Sequence, residues 1–149
     1  MGRASDPNAL FVGDISFGSS SQEVIVHVVN IGSTAGHQVY PGGNVYNATK
    51  FGVKALSEGM NLDVAGTQVR VSSVDPGHVE SEFALVRFHG DAERAKKIYE
   101  GFRPLSPDDV ADAVSYVVNA PEHVNIADLI ILPAAQRSVH LIDRVRGEK

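Results

Sequence analysis

The sequence predicts an α/β fold in which helices flank a parallel sheet. Apolar, β-branched runs occur at Val24–Ile31, Gln68–Val74 and Ile126–Leu132, and such runs are typical of strands buried on both faces. The segments between these runs have helical spacing, and a helix between two strands provides the crossover that parallel pairing requires. Since the chain has 149 residues, a single domain is expected.

Composition narrows the possible functions. Apolar residues make up 43% of the chain, which is enough for a packed core. The formal net charge is −5, with acidic and basic residues interleaved, which argues against nucleic acid or an anionic membrane as the main partner. The sequence contains no cysteine, so disulfides, thiol catalysis and thiolate-bound zinc are excluded. No apolar run could span a bilayer and no signal peptide is recognisable, so a cytoplasmic location is expected.

The first residues of the chain predict secondary structure less clearly. Met1–Pro7 is small and polar and is expected to be loose. Ala9–Phe17 is partly apolar and could form a short strand. We expect that this strand could fold back through Gly18–Ser21 and pair antiparallel with Val24–Ile31, which would cover an otherwise open sheet edge.

A long helix is predicted at Asn44–Ala65. Apolar residues recur there at steps of three and four, which is the spacing of an amphipathic helix. Gly66 is placed to end it in a left-handed conformation. The charged segment Glu80–Phe102 is expected to be helical in its later part.

A second clear helix begins after Ser106. The Ser106 hydroxyl can cap it, Pro107 suits its first position, and acidic residues follow at Asp108 and Asp109. The stripe predicted to face the sheet consists of Val110, Ala113, Val114 and Val117.

A phenol and an ammonium lie four residues apart on the first helix. Tyr46 and Lys50 would share one face of that helix. A nearby cation favours the ionised form of a phenol, so the pKa of Tyr46 is expected to fall and to allow proton exchange near neutral pH. The spacing by itself is also compatible with a plain surface pair.

Two loops are predicted to meet this helix at one edge of the sheet. The strand Val24–Ile31 leads into Gly32–Gly36, which displays the hydroxyl of Ser33, and the next strand leads into Asp75–Val79. Ligands of open α/β sheets bind outside the carboxyl ends of the strands. We therefore expect the three segments to converge on one crevice.

In this order, the segments Asn30–Gly36, Tyr46–Lys50 and Pro76–Ser81 resemble the short-chain dehydrogenase/reductase family. The strings Gly32–Gly36 and Pro41–Tyr46 are similar to its branch of NADP-dependent 3-hydroxy acid dehydrogenases, which also oxidise serine and allo-threonine. The likeness runs from Val24 to the C-terminus. It implies an oxidoreductase that transfers a hydride between NADP(H) and a 3-hydroxy acid or a similar small alcohol.

The resemblance also implies residue roles. Tyr46 would be the general acid/base, Ser33 would hydrogen-bond the substrate oxygen, and Lys50 would lower the pKa of Tyr46 and bind the nicotinamide ribose. The cofactor-binding residues that it implies are Tyr46, Lys50, Pro76, Gly77, Val79 and Ser81. NADP is the expected cofactor, with NAD as the alternative.

In addition to Ser33, two more residues are candidate substrate ligands. Arg87 could bind a substrate carboxylate in a bidentate pair, or it could be a solvated helix arginine. Tyr40 could line the substrate pocket, or it could be an ordinary loop aromatic. The histidines have no metal-ligand spacing, so no metal site is predicted.

One family motif does not occur in the sequence. The family opens with a strand and the turn Thr-Gly-x-x-x-Gly-x-Gly, which binds the cofactor pyrophosphate, and no such string is found here. The predicted fold is therefore a partial doubly wound, Rossmann-type parallel sheet with three core strands and its N-terminal half missing. Residues 1–22 are assigned to a non-family segment, and residues 23–149 to the C-terminal half of the domain.

Two functions stay open. The Ser–Tyr–Lys set favours an enzyme that binds NADP and a small-molecule substrate. The absent glycine-rich turn favours a catalytically inactive remnant or a self-associating fragment. The resemblance implies that a homo-oligomer would form through the helix Asn44–Ala65, because the matching helix of the family packs against its mate in a neighbouring subunit.

Overall fold

A computed structural model describes residues 10–14 and 26–144 of the chain. Its elements, in chain order, are β1 Leu10–Asp14, β2 Val26–Ile31, a short 3₁₀ helix Thr34–Gly36, α1 Asn44–Asp63, β3 Arg70–Pro76, α2 Glu82–Arg87, α3 Ala92–Lys97, α4 Pro107–Val118 and β4 Asp128–Ile131. Within these residues, none of the helices combines the length and the apolar character needed to cross a membrane.

The strands form one sheet in the order β1-β2-β3-β4. β2 pairs parallel with β3, and β3 pairs parallel with β4, with helices in the connections. This arrangement confirms the predicted α/β class with three parallel core strands. β1 runs antiparallel beside β2, with Leu10 opposite Asn30. The turn predicted at Gly18–Ser21 and the loose start at Met1–Pro7 lie outside the described residues.

The apolar core lies between the sheet and α4. Val29, Val74 and Val117 are buried there at 3%, 0% and 0% exposure. The partly buried residues packed around them include the predicted stripe of α4 and are Ile31, Val110, Ala113, Val114, Val118, Ile126 and Leu129. The stripe of α4 is thereby confirmed, and its packing fixes the sheet from one side.

Both ends of α4 are held by side chains. At its start, the Ser106 hydroxyl accepts from the backbone N–H of Asp109, whose carboxylate accepts from the backbone N–H of Ser106, which forms the capping box. At its end, the Arg70 guanidinium of β3 donates to carbonyl oxygens of the last helical residue and of the segment that follows the helix. These carbonyls belong to Val118, Ala120, Pro121 and Val124.

The opposite face of the sheet is polar and lies against α1. The buried side chains of α1 are those of Asn47, Lys50 and Ser57. Asn30 of β2 donates a hydrogen bond to the Ser57 hydroxyl at 2.8 Å. Polar groups that are buried between a helix and a sheet need hydrogen-bond partners. The contact between α1 and the sheet therefore fixes the positions of polar side chains rather than burying a large apolar area.

The apolar side of α1 is left uncovered. Val45, Leu56 and Leu62 are 79%, 53% and 76% exposed, and Gly52 and Gly59 have no atoms within 4 Å of an added Cβ. The predicted helix is confirmed and ends at Asp63, with Gly66 in the left-handed conformation at φ 82°. Its apolar spacing does not face the core of the described structure, because polar residues occupy that side.

The segment before α4 is more helical than expected. Both its early and its later part form short helices, α2 and α3. The two are separated by a turn in which His89 and Gly90 have φ values of 53° and 90°. Each helix is capped by a side chain, Ser81 for α2 and Asp91 for α3.

Candidate active site

The turn after β2 displays Ser33. Gly32 donates its N–H to the carbonyl of Val74 at 2.9 Å, which continues the pairing with β3. Ser33 follows in an extended conformation, and its hydroxyl caps the 3₁₀ helix by accepting from the N–H of Ala35 at 3.1 Å. Gly36 lies so close to α1 that an added Cβ would stand 2.7 Å from the carbonyl oxygen of Lys50. The Ser33 turn is therefore packed directly on α1.

Helix α1 brings Tyr46 and Lys50 to this turn. Asn47, which is 3% exposed, fastens the helix start by donating to the carbonyls of Ala35 and Gln38 at 3.0 and 3.2 Å. The Nζ atom of Lys50 lies 5.8 Å from the centroid of the Tyr46 ring. The two residues share one helix face, as their spacing predicted.

The protonation equilibria differ from the sequence-based expectation. Burial raises the pKa of the Tyr46 phenol above its ordinary value, and the hydrogen bond with Ser33 only partly offsets this rise. Burial also lowers the pKa of Lys50, against the influence of the Asp75 carboxylate. The expectation that the pKa of Tyr46 falls is therefore wrong for this structure, because loss of solvent outweighs the groups that favour the ionised phenol.

The Ser33 turn and the start of α1 form the first wall of a cleft, and the loop after β3 forms the second wall. Gly77 donates its N–H to the carbonyl of Ile131 at 2.8 Å, and His78 donates its N–H to the Gln136 side chain at 2.9 Å. An added Cβ at Gly77 would overlap the Gln136 amide. The carbonyl of Val79 accepts a hydrogen bond from the Tyr99 hydroxyl at 2.8 Å. The backbone from Gly77 to Val79 is thus held on both sides.

Helix α2 supplies the third wall. Ser81 caps it by accepting from the N–H of Phe83 at 3.3 Å, and the Phe83 ring packs on the Tyr46 ring with centroids 5.5 Å apart. Arg87 ends the helix with its guanidinium carbon 5.3 Å from the centroid of the Tyr40 ring and 5.9 Å from that of Tyr46. None of the described acidic side chains forms a salt bridge with Arg87.

Tyr40 carries an unused polar group. Its hydroxyl is buried and finds no hydrogen-bond partner among the described residues. A buried hydroxyl without a partner is costly. The group is therefore available to a ligand.

The three walls enclose one cleft of about 320 Å³. All the residues predicted for the site line it. They are Ser33, Tyr40, Tyr46, Lys50, Pro76, Gly77, Val79, Ser81 and Arg87. The predicted convergence of three segments on one crevice is what the structure contains.

Among the cleft residues that were not predicted from the sequence, Gln136 and Tyr99 hold the backbone of the loop after β3. Gln136, which is 2% exposed, accepts from the N–H of His78 across 58 residues of chain. Tyr99 reaches the Val79 carbonyl across 20 residues. Neither residue stands in a motif, so local sequence patterns contain no signal for them.

A parallel sheet with a hydroxyl, a phenol and an amine at its carboxyl edge defines this chain as a Rossmann-like α/β protein. Residues 24–90 match the family described as short chain dehydrogenase. The resemblance that the motifs predicted is thereby confirmed over these residues.

Curated relatives agree with this assignment. The NADP-dependent 3-hydroxy acid dehydrogenase YdfG of Escherichia coli strain K12 is 48% identical over 111 residues, which cover 74% of this chain and 45% of that protein. The NADP-dependent 3-hydroxy acid dehydrogenase of Schizosaccharomyces pombe is 37% identical over 117 residues, which cover 78% of this chain and 45% of that protein. The chain spans about half the length of the curated relatives that it matches.

Solved structures are similar as well. The closed form of a serine dehydrogenase complexed with NADP⁺ has a TM-score of 0.74 and 45% identity, over 82% of this chain and 49% of that one. A serine dehydrogenase from Escherichia coli has a TM-score of 0.58 and 39% identity, over 74% of this chain and 41% of that one.

Proposed function

We propose that this chain carries the substrate site and the nicotinamide site of an NADP-dependent oxidoreductase that acts on a 3-hydroxy acid or a similar small alcohol. The observation that carries the proposal is the convergence of Ser33, Tyr46 and Lys50 on one cleft. The 3-hydroxy acid dehydrogenases and serine dehydrogenases to which the chain is similar support the substrate class and the cofactor.

Tyr46 is the general acid/base of this proposal. Because burial raises its pKa, the phenol carries its proton at neutral pH. In the direction of carbonyl reduction, Tyr46 donates this proton to the substrate oxygen. In the direction of alcohol oxidation, Tyr46 must first lose the proton, and the hydrogen bond with Ser33 favours that ionised form.

Ser33 holds the substrate oxygen. Its backbone is fixed by the turn on α1, and its hydroxyl is held near Tyr46. A fixed hydroxyl can stabilise charge that develops on the oxygen without having to reorient during the reaction. Ser33 therefore orients the oxygen for proton exchange with Tyr46.

The residues that fit the nicotinamide end of NADP come from α1, the end of β3 and the loop after it, and the start of α2. Lys50 presents a buried amino group beside Tyr46 for the ribose, and Pro76, Gly77, Val79 and Ser81 offer backbone and hydroxyl groups toward the ring and its carboxamide. When bound, NADP supplies or accepts the hydride. The sequence contains no Thr-Gly-x-x-x-Gly-x-Gly string for the pyrophosphate, so these residues account for one end of the cofactor only.

Arg87 and Tyr40 select the substrate in this proposal. A guanidinium that has no acidic partner among the described residues can bind a carboxylate through two parallel hydrogen bonds. Aromatic rings hold it at the cleft. The unpaired hydroxyl of Tyr40 is placed to complete the contact. A small acid with an alcohol group fits this combination.

The test is NADP⁺ reduction by L-serine and by 3-hydroxypropanoate, followed by absorbance. The expected result is measurable turnover that falls about 10²–10⁴-fold in Tyr46→Phe, the loss typical of a missing acid/base group. The control is Tyr116→Phe, which removes a hydroxyl from a side chain that is 66% exposed on α4. Absence of turnover in the wild-type chain, or equal turnover in Tyr46→Phe, contradicts the proposal.

A second candidate function is self-association through α1. The uncovered apolar side of this helix favours it, since Val45, Leu56 and Leu62 are all more than half exposed and Gly52 and Gly59 permit close approach. Light scattering is expected to give a mass above that of one chain, and Leu56→Glu is expected to return it to one chain. Glu58→Gln, on the same helix, is the control. A monomeric wild-type chain contradicts this candidate.

A further inference from the structure

A buried carboxylate lies under the candidate active site. Asp75, which is 2% exposed, stands near the carboxyl end of β3. Its Oδ1 accepts a hydrogen bond from the Ser73 hydroxyl at 2.8 Å, and its Oδ2 lies 2.5 Å from the His37 Nε2. Both oxygens are engaged, which is what a buried carboxylate requires.

The Ser33 turn rests on this carboxylate. An added Cβ at Gly32 would overlap the Asp75 carboxylate and would stand 2.9 Å from the Ser73 hydroxyl. The glycine therefore lets the turn approach to direct contact. Because Ser33 is the next residue, the position of its hydroxyl depends on where Asp75 lies.

Two lysines of α1, Lys50 and Lys54, contact residues that surround the Asp75 carboxylate. The Nζ atom of Lys50 donates to the carbonyl of Ile31, the residue before Gly32, at 3.1 Å. The Asp75 charge favours the ammonium form of this amine. Lys54, one helical turn further, lies with its Nζ 3.1 Å from the His37 Nδ1. An ammonium can only donate, so Nδ1 accepts and the proton of a neutral His37 sits on Nε2, where it points at Asp75.

One further acid faces this group. Burial raises the pKa of Asp128, and a hydrogen bond and the charge of Asp75 add to the rise. The titratable and charged side chains around Asp75 are thus Lys50 and Lys54 from α1, His37 from the end of the 3₁₀ helix and Asp128 from β4.

His37, Asp75 and Asp128 also have the mutual distances of a metal site. A metal ion would need the His37 Nε2 lone pair. The contact with Lys54 places a proton there instead, and the ammonium repels a cation. A hydrogen-bonded network therefore accounts for the three side chains better than a metal ion does.

We propose that Asp75 is a positioning residue, which fixes the Ser33 turn through Gly32 and acts through its charge on the buried amine of Lys50. His37 and Lys54 hold the Asp75 carboxylate in place from the outside. The inference rests on the proposed function for its catalytic meaning, but its physical content can be measured without turnover.

The first test follows the titration of the Lys50 side chain by ¹³C NMR in the full chain. Asp75→Asn keeps the shape and removes the charge. The pKa of Lys50 is expected to fall in this variant, because the opposite charge that favours the ammonium form is lost. Asp112→Asn, an equal change on the exposed side of α4, is the control and is expected to leave Lys50 unchanged. An unchanged Lys50 pKa in Asp75→Asn overturns the proposal.

The second test needs no variant, so it can still test the proposal if Asp75→Asn does not fold. The ring nitrogens of His37 are read by ¹⁵N NMR in the wild-type chain at alkaline pH. The expected tautomer carries its proton on Nε2, and an Nδ1–H tautomer overturns the proposal. If these two results hold and NADPH does not bind, the proposed function fails while the coupling between Asp75 and Lys50 stands.

Discussion

The Nζ atom of Lys50 lies 5.8 Å from the centroid of the Tyr46 ring and donates a hydrogen bond to the backbone carbonyl of Ile31 at 3.1 Å. The amine thus stands beside the phenol, and it also ties α1 to the end of β2. Both groups are withdrawn from water, and each pKa shifts toward the neutral form. The chemistry of the site therefore depends on the few polar groups that offset this burial, which are Ser33 and Arg87 for the phenol and Asp75 for the amine.

Ser33→Ala is expected to raise the pKa of Tyr46 further. The hydrogen bond of Ser33 favours the ionised phenol, so removing it leaves only the weaker influence of the Arg87 charge against burial. Titration of the tyrosines by ¹³C NMR measures the change. Ser115→Ala on the exposed side of α4 is the control, and a Tyr46 pKa that stays the same or falls in Ser33→Ala contradicts the interpretation.

His27 is expected to make stability depend on pH. This side chain is 5% exposed, and burial, aided by the charge of Arg70, lowers its pKa from 6.5 to about 4. Since the folded pKa lies below the unfolded one, the contribution is fully present above pH 6.5 and is lost as pH falls toward 4. The loss amounts to about 3 kcal/mol, from the free energy of one pKa unit.

Urea unfolding of the wild type at pH 7 and pH 4.5 measures this effect. In His27→Gln the fall in stability between the two pH values is expected to be smaller, because the amide does not titrate. His123→Gln removes an exposed histidine and serves as the control. An equal fall in the wild type and in His27→Gln would refute the assignment.

Gly32→Ala is expected to destabilise the chain by about 1–3 kcal/mol, the usual cost of overpacking. The new Cβ would meet the Asp75 carboxylate and the Ser73 hydroxyl. The matched control is Gly52→Ala, where an added Cβ meets open space on α1. That change is expected to stabilise by about 0.5–1 kcal/mol through helix propensity. Thermal unfolding compares the two, and equal effects would contradict the packing described for Gly32.

Ser106→Ala is expected to lower the free energy of unfolding by about 1 kcal/mol, the typical value of an N-cap. The hydroxyl of Ser106 accepts from the backbone N–H of Asp109 and thereby satisfies one of the open donors of α4. Tyr116→Phe, on the exposed side of α4, is the control for loss of a surface hydroxyl. A loss in Ser106→Ala no larger than in the control would show that the cap contributes nothing.

Much of the fold could be predicted because its signals are local. The buried runs of β2, β3 and β4 and the start of α4 at Ser106 depend on residues close in sequence. The site could be predicted for a related reason. Ser33, Tyr46 and the Pro76 loop each stand at the end or start of such an element, and parallel pairing brings those ends together.

Other features could not be predicted because they depend on distant contacts. Gln136 and Tyr99 reach the Gly77–Val79 backbone from far along the chain. The direction of the Tyr46 pKa shift depends on burial, which spacing does not reveal. The cytoplasmic location and the division of the chain at residues 22 and 23 remain predictions.

The most direct test of the account is an NMR titration of ¹⁵N-labelled chain with NADPH. The account predicts saturable shifts of the amide signals of Ser33, Tyr46, Gly77 and Val79, and weaker binding in Lys50→Ala but not in Lys96→Ala on α3. Absence of saturable shifts, or shifts confined to residues away from the cleft, would contradict it.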